Sequence, residues 1–276
     1  MKPIIDNNVI PFIEKVEREA WLDMCASAPE SYVKSSNVSF TRVGSSIALA
    51  NRGLPYPDFN RVLGVGIGPA SEAELELALA WLKEHAAPSS PMQIPPHALS
   101  KKILEWMNTK GLERVGNGKA VFYRDSSPVQ SHPIPPTLDI RLVGAPCAED
   151  FGFTVHAGFG VPESNIPFFS ALAGRPKWKT YAAYDGNKPV ASAAMFIDNS
   201  WAYLGVASTL PEYRGRGAQN ALFKRRITDG IAAGVIGFTG DTGQPLEGEE
   251  HAHKSYRNFH RAGFKRVLVR QNFILK

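Results

Sequence analysis

Residues 214–217 read Arg-Gly-Arg-Gly, and these residue types at this spacing predict a loop that binds phosphate. Glycines let the backbone approach a ligand closely and adopt positive φ angles. Arginines add positive charge and charge-assisted hydrogen bonds to an anion. An apolar run of strand type, 201–207, precedes the loop, and apolar residues at helical spacing follow it. A helix that begins directly after the loop offers its free N–H groups to the same anion.

The loop differs from two common nucleotide-binding loops. No Gly-Lys-Ser/Thr follows it, as would be required for a P-loop, and it lacks the third glycine and the distant acidic residue of a dinucleotide fingerprint. An exposed turn with two solvated arginines is the alternative, but the strand and helix on either side favour an anion site.

The elements that must position this loop show a faint repeat. A proline- and serine-rich segment, 126–137, predicts a linker between residues 1–125 and residues 138–276. Both parts show the same order of strand, loop, helix, strand, helix and strand, which predicts two related domains. Gly-Pro-Ala-Ser at 68–71 replaces the arginine-glycine loop in the first part, so we expect a phosphate site in the second part alone. Residues 9–34 predict helical structure that binds the other domain.

The segment 211–217, Pro-Glu-Tyr-Arg-Gly-Arg-Gly, resembles the acyl-CoA-binding motif of the GCN5-related N-acetyltransferases (GNAT family). That motif is usually written Gln/Arg-x-x-Gly-x-Gly/Ala. Gln219 departs from it, because the last position is usually Gly or Ala, and its side chain must point away from the pyrophosphate or hydrogen-bond to it. Residues 255–264 resemble the last helix of the family, which ends in Gly-Phe before a final strand. The resemblance covers roughly residues 138–276, and residues 1–125 are interpreted as a degenerate copy.

The resemblance implies an α/β (α+β) fold with two GNAT-like domains, each a mixed, mainly antiparallel twisted sheet flanked by helices. In the C-terminal domain a splayed pair of strands holds acyl-CoA, and residues 234–238 are expected to form the second strand of that pair. The implied activity is transfer of an acetyl group from acetyl-CoA to a small-molecule or protein amine, without a metal ion. The residues expected to bind the donor are Thr209, Arg214, Gly215, Arg216, Gly217, Ala218, Gln219, Ser255 and Asn258.

Three residues are catalytic candidates. The resemblance implies that the backbone N–H of Thr209 polarises the thioester carbonyl. Asp241 is the best-placed carboxylate for a general base, although an Asp between glycines is also a usual turn residue. Family members often place a tyrosine acid where this chain has Phe259. Tyr256, one helical turn earlier, is the nearest substitute, with packing of Tyr256 and protonation by water as the alternatives.

Several neighbouring residues allow a second interpretation. Ser255 could cap the helix that follows it instead of contacting CoA. His251 and His253 form a His-x-His pair, but no third ligand is spaced for a metal, and exposed loop histidines are the simpler interpretation. The phenylalanine-rich segment 150–176 predicts a wall of the acceptor site or an ordinary hydrophobic core.

Composition limits the classes of protein. The chain has 276 residues, a formal net charge of +5, two cysteines and no apolar run of membrane-spanning length. The first residues lack the apolar core of a signal peptide, so we expect a cytoplasmic protein with no membrane partner. A CoA-binding pseudoenzyme or sensor is the first alternative function, and a basic nucleic-acid-binding protein is the second, although no nucleic-acid motif is present. A homodimer is compatible with the sequence.

Overall fold

The computed structural model describes residues 7–129 and 138–276, so residues 130–137 of the expected linker lie outside the described residues. The α-helices are α1 (Ile10–Ala26), α2 (Glu30–Ser36), α3 (Glu72–His85), α4 (Lys101–Thr109), α5 (Ala148–Phe159), α6 (Ile166–Ser170), α7 (Ala218–Ala232) and α8 (Lys254–Arg261). The strands are β1 (Ser39–Val43), β2 (Ser46–Ala50), β3 (Arg61–Leu63), β4 (Met92–Ile94), β5 (Leu112–Asp125), β6 (Leu138–Val143), β7 (Trp178–Asp185), β8 (Lys188–Asp198), β9 (Trp201–Thr209), β10 (Gly237–Gly243) and β11 (Lys265–Leu275).

All eleven strands belong to one sheet, in the order β1-β2-β3-β4-β11-β5-β10-β9-β8-β7-β6. The pairs β3–β4 and β9–β10 are parallel, and the other neighbouring pairs are antiparallel. This arrangement confirms the expected mixed, mainly antiparallel sheet flanked by helices. The division into domains at 126–137 stays a prediction.

Strand β5 is the main connection between the two parts of the chain. The sequence predicts a strand at 118–124 that closes the first part, but in the structure this strand is longer and lies between β10 and β11 of the second part. Lys119 of β5 is consequently paired in the sheet with Gly243 of β10 on one side and with Arg270 of β11 on the other. Side chains from the first part are thereby brought into the sheet of the second.

Helix α1 packs on the sheet of the second part, which confirms the expectation for residues 9–34. Val16 and Trp21 of α1 share a hydrophobic cluster with Phe169 of α6 and Tyr203 of β9. Leu204, the next residue of β9, belongs to a second cluster with α7 and α8, because successive strand residues face opposite sides of the sheet. The sheet therefore has α1, α5 and α6 on one face and α7 and α8 on the other.

A buried ion cluster fixes α1 in this position. Arg270 of β11 donates from Nε to Glu14 Oε1 at 2.9 Å and from Nη2 to Glu17 Oε2 at 2.6 Å, and all three side chains are essentially inaccessible to solvent. Removal from water is costly for each charge, so these groups stabilise one another only in this geometry. Burial raises the pKa of Glu17 to about 7, despite the opposing charge of Arg270. The cluster makes the position of α1 specific.

None of the helices in residues 7–129 and 138–276 is long and apolar enough to cross a membrane.

Candidate functional site

Strands β9 and β10 separate part of the way along their length. Their parallel pairing covers three residue pairs, from Gly237 opposite Trp201 to Thr239 opposite Tyr203. Beyond these pairs a cavity of about 480 Å³ lies between the strands. The sequence predicts a splayed strand at 234–238, but in the structure β10 begins at Gly237 and runs to Gly243. Asp241 is consequently a strand residue paired with Val121 of β5, and the alternative of a turn residue is wrong.

A β-bulge in β9 lines the cavity. Ala194 of β8 pairs with Gly205 and Ser192 pairs with Ser208, so that Val206 and Ala207 together face one residue of β8. Val206 has a φ of 48°, an unusual conformation for a β-branched residue. A bulge interrupts the regular ladder and turns main-chain groups away from the neighbouring strand. Gly205, Val206 and Ala207 all line the cavity, so the bulge lies at its wall.

Thr209 lies beyond this cavity. It is the last residue of β9, and its carbonyl oxygen accepts a hydrogen bond from Arg214 Nε at 3.2 Å. Its hydroxyl accepts from Gln219 Nε2 at 3.1 Å. Thr209 is not among the residues that line the cavity, and the role expected for its backbone N–H stays a prediction. The bulge at Val206 and Ala207, which does line the cavity, lies two to three residues earlier.

The arginine-glycine loop has the geometry that its sequence predicts. Gly215 and Gly217 have φ angles of 82° and 84°, which side-chain-bearing residues rarely adopt. A Cβ atom at Gly215 would meet no described atom within 4 Å, so the space beside this backbone is open. Gly217 is the N-cap of α7, and no side chain of the described residues caps that helix end. The free N–H groups of Ala218 and the first turn of α7 therefore suit an anion.

The two arginines of the loop have different surroundings. Arg214 donates from Nη2 to the carbonyl oxygen of Gly158 at 2.8 Å, which ties the loop to the end of α5. The Arg216 guanidinium lies 4.7 Å from the centre of the Tyr213 ring. Both arginines are exposed to solvent. Arg214 thus helps to shape the loop, and Arg216 contributes charge beside it.

Gln219 points towards the strands. Its amide nitrogen donates to the Ser208 carbonyl oxygen at 2.7 Å and to the Ser192 carbonyl oxygen at 3.3 Å. These are the residues that pair just beyond the bulge. The departure from the family motif at this position therefore has a structural reason: the longer side chain fastens α7 to β8 and β9.

Helix α8 forms one wall of the cavity, and its N-cap differs from the expectation. His253 caps the helix, because its Nδ1 accepts a hydrogen bond from the Tyr256 backbone N–H at 3.2 Å. Ser255 is therefore not the cap, and it lines the cavity together with Asn258 and Phe259. Residues three and four apart share a helix face, which explains why these three are together.

Tyr256 lies on a different face of α8. Its ring is buried, with its centre 5.1 Å from that of Phe122 and 4.9 Å from that of His260. It does not line the cavity between β9 and β10, since one residue along a helix rotates the side chain by about 100°. The structure places the acid candidate Tyr256 in the core and supports the packing interpretation.

A polar cluster lies where β9 and β10 part. The Tyr203 hydroxyl donates to Asp241 Oδ1 at 2.9 Å, and Lys119 Nζ lies 3.7 Å from Asp241 Oδ2. Lys119 Nζ is also 2.5 Å from Asp58 Oδ1. Burial and the neighbouring Asp241 raise the pKa of Tyr203 well above its ordinary value. Burial alone would lower the pKa of Lys119. The carboxylates of Asp58 and Asp241 raise it by more, so the pKa lies above its ordinary value and Lys119 is a cation.

The cluster continues into the ions that hold α1. Arg61 of β3 lies 3.7 Å from Asp58 Oδ1 and 3.6 Å from Glu17 Oε1. Asp58, Arg61 and Lys119 all belong to residues 1–125, the part interpreted as a degenerate copy. No local motif marks them, because the pairing of β5 with β10 brings Lys119 to the cavity, and long-range packing brings Asp58 and Arg61 beside it.

Many solved structures share this fold, and three of them are given as examples. A GCN5-related N-acetyltransferase from Kribbella flavida has a TM-score of 0.63 at 13% identity, covering 95% of this chain and 94% of that one. Another from Sphaerobacter thermophilus has a TM-score of 0.58 at 16% identity, covering 84% and 81%. A tandem GNAT protein from the clavulanic acid biosynthesis pathway has a TM-score of 0.56 at 14% identity, covering 94% of each chain.

The chain therefore has the fold of the GCN5-related N-acetyltransferases, and the resemblance drawn from residues 211–217 and 255–264 is confirmed at the level of the fold. No protein-family model matches the chain, and no curated protein matches its sequence. Within residues 7–129 and 138–276, no group of three or more His, Cys, Asp or Glu side chains could hold a metal ion.

Proposed function

We propose that this protein is an N-acetyltransferase that moves an acetyl group from acetyl-CoA to an amine. The observation that carries this proposal is the alignment of three features along one cavity. These are the uncapped start of α7, where Gln219 lines the cavity directly after the glycine loop, the bulge at Val206 and Ala207, and the separation of β9 from β10 beside Asp241. Together they suit a long ligand with phosphates at one end and a reactive carbonyl at the other.

Each part of acetyl-CoA is assigned to one of these features. The backbone N–H groups of residues 215–219 would hold the pyrophosphate, with Arg216 adding charge. The pantetheine arm carries amide groups that can pair with a strand edge, and the open edge of β9 beyond Tyr203 supplies one. Ser255 and Asn258 line the same cavity from α8 and would contact this arm.

The chemistry requires polarisation of the thioester carbonyl and a base for the amine. We assign the first task to the backbone N–H groups of the bulge, at Val206 or Ala207. We assign the second to Asp241, because its carboxylate lies at the cavity and Tyr203 orients it. The amine nitrogen bonds to the carbonyl carbon and gives its proton to Asp241, directly or through water. The carbon–sulfur bond breaks with its electron pair remaining on sulfur.

The thiolate must then regain a proton. Tyr256 is buried away from the cavity and Phe259 has no proton to give, so we propose that solvent protonates the thiolate. A thiol is acidic enough to leave as a thiolate near neutral pH. In this account no side chain serves as an obligatory general acid.

The alternative of a CoA-binding pseudoenzyme shares the binding features and differs in chemistry alone. The alternative of a nucleic-acid-binding protein uses the same arginines but gives no role to the cavity. Titration calorimetry with acetyl-CoA, followed by mass measurement of amine products, separates all three. The proposed enzyme binds one acetyl-CoA per chain and acetylates an amine. The pseudoenzyme binds but transfers nothing, and the nucleic-acid-binding protein does neither.

A further inference from the structure

The face of the cavity opposite α7 and α8 is rich in aromatic side chains. The donor features belong to α7, α8 and the glycine loop, so the acceptor must approach from the face that carries α1, α5 and α6. The side chains that line the cavity on that face are Trp21, Tyr56, Phe59, Phe159, Phe169 and Tyr203. Several pack edge to face: the Phe59 ring centre lies 5.5 Å from that of Trp21 and 6.1 Å from that of Phe169. An acceptor with an apolar, flat body would be stabilised by such a wall.

The polar end of this aromatic wall is acidic. Asp58 and Asp241 both line the cavity, and Lys119 lies between their carboxylates. These three lining groups carry two negative charges and one positive charge, and Arg61, which contacts Asp58 at 3.7 Å, does not line the cavity. The remaining lining cation among the described residues is Arg226, whose guanidinium lies 4.6 Å from the Phe223 ring centre on the α7 side. An ammonium group is therefore attracted to the Asp58–Asp241 end, and a carboxylate there is repelled.

Much of this wall comes from the first part of the chain. Tyr56, Pro57, Asp58 and Phe59 are consecutive in the sequence, and all four line the cavity beside Trp21 of α1. Arg61, which is buried, contacts both Asp58 and Glu17 and so helps to fix the position of this segment. Residues 1–125, which lack a phosphate loop, thus contribute side chains to the acceptor half of the cavity.

On the basis of the proposed function, we propose that the acceptor is a small primary amine on an aromatic body without a carboxylate, and that segment 56–59 recognises it. The aromatic rings hold the body, and Asp58 and Asp241 attract its ammonium group. A free amino acid would bring its carboxylate close to two others. A polyamine or an amino sugar would leave the aromatic wall facing polar groups without partners, which is unfavourable.

The test compares acceptors that differ in one feature. The full chain is assayed with acetyl-CoA and 2-phenylethylamine, L-phenylalanine or ethanolamine, and the released thiol and product mass are measured. The expected kcat/KM for 2-phenylethylamine is at least about tenfold above that for either other amine, because L-phenylalanine adds a carboxylate and ethanolamine lacks the ring. Equal or better use of L-phenylalanine or ethanolamine overturns the inference while leaving the proposed function intact.

Two variants assign the preference to segment 56–59. Phe59→Ala should raise the KM for 2-phenylethylamine about tenfold and leave the KM for acetyl-CoA unchanged. Phe40→Ala, which removes a partly exposed ring on β1, is the matched control and should change neither constant. Asp58→Asn should reduce the preference for 2-phenylethylamine over L-phenylalanine about tenfold, because one repelling charge is lost.

The outcomes separate the inference from the function on which it rests. If the chain binds acetyl-CoA but does not acetylate 2-phenylethylamine, the inference is overturned. If Phe59→Ala and Phe40→Ala have the same effect on the KM for the amine, segment 56–59 is not the recognition element. If the folded chain does not bind acetyl-CoA at all, the proposed function itself fails, and the inference falls with it.

Discussion

The Tyr203 hydroxyl donates a hydrogen bond of 2.9 Å to Asp241 Oδ1 across the point where β9 and β10 separate. The bond holds one carboxylate oxygen and leaves Oδ2 facing the Lys119 ammonium at 3.7 Å. The Asp241 carboxylate is therefore held in one orientation at the point where β9 and β10 separate. An amine that attacks an acyl donor in the cavity would need a base at this point.

Asp241→Asn is expected to lower kcat by about 10²-fold or more, because the amide cannot accept the proton of the amine. Acetyl-CoA affinity, measured by calorimetry, should remain within a factor of about two, since the glycine loop does not involve Asp241. A kcat close to that of the wild type would exclude Asp241 as the base.

The two tyrosines provide a matched pair. Tyr203→Phe removes the donor that orients Asp241, so kcat should fall roughly tenfold. Tyr256→Phe removes a hydroxyl on a ring that packs against Phe122 outside the cavity, so kcat should stay within about threefold of the wild type. A loss of about 10²-fold for Tyr256→Phe, with an altered alkaline limb of the pH–rate profile, would identify Tyr256 as the general acid after all.

Gly215→Val should weaken acetyl-CoA binding by about tenfold or more. A branched side chain fills the open space beside the backbone and resists the φ of 82°. Gly186→Val is the control, because Gly186 has a φ of 63° and open space around its Cβ position, but lies in the turn between β7 and β8. Equal losses of affinity in the two variants would show that the effect is strain and not contact with the donor.

The buried carboxylate of Glu17 makes stability depend on pH. Burial raises its pKa from 4.5 to about 7, so the folded protein keeps a proton that the unfolded chain has already released. This contribution to stability is complete below about pH 4.5 and is lost as the pH rises through about 7.

Glu17→Gln removes this dependence, while Glu14 continues to neutralise Arg270. The free energy of unfolding of the variant relative to the wild type should therefore rise by about 1–3 kcal/mol between about pH 5 and about pH 8. Urea denaturation at both pH values measures it, with Glu30→Gln on the exposed face of α2 as the control. A relative stability that is constant, or that falls with pH, contradicts the assignment.

The sequence predicts the donor side of the site better than the acceptor side. The loop at 214–217 is local, so its glycines and the following helix could be read from adjacent residues. The bulge at Val206 and Ala207 could not be predicted, because it adds a residue to β9 without a sequence signal. The sequence left open whether Tyr256 packs in the core or serves as an acid, because tertiary packing decides which face of α8 meets the cavity.

The acceptor side depends on long-range contacts. Lys119 reaches Asp241 because β5 inserts beside β10, and Asp58 joins this cluster through its contact with Lys119. The repeat in the sequence does not predict that insertion. The interpretation of residues 1–125 as a degenerate copy is consistent with the missing phosphate loop. It predicts no contribution of segment 56–59 to the cavity, because that contribution arises from tertiary packing and not from any motif.

The most direct test of the central claim is a transfer assay with the full chain, acetyl-CoA and an amine, in which released thiol and N-acetyl product are measured together. The account predicts equal amounts of thiol and product, with turnover strongly reduced in Gly215→Val and in Asp241→Asn but not in Gly186→Val. Binding of acetyl-CoA without any N-acetyl product from a broad panel of amines would contradict it and leave a CoA-binding protein without transferase activity.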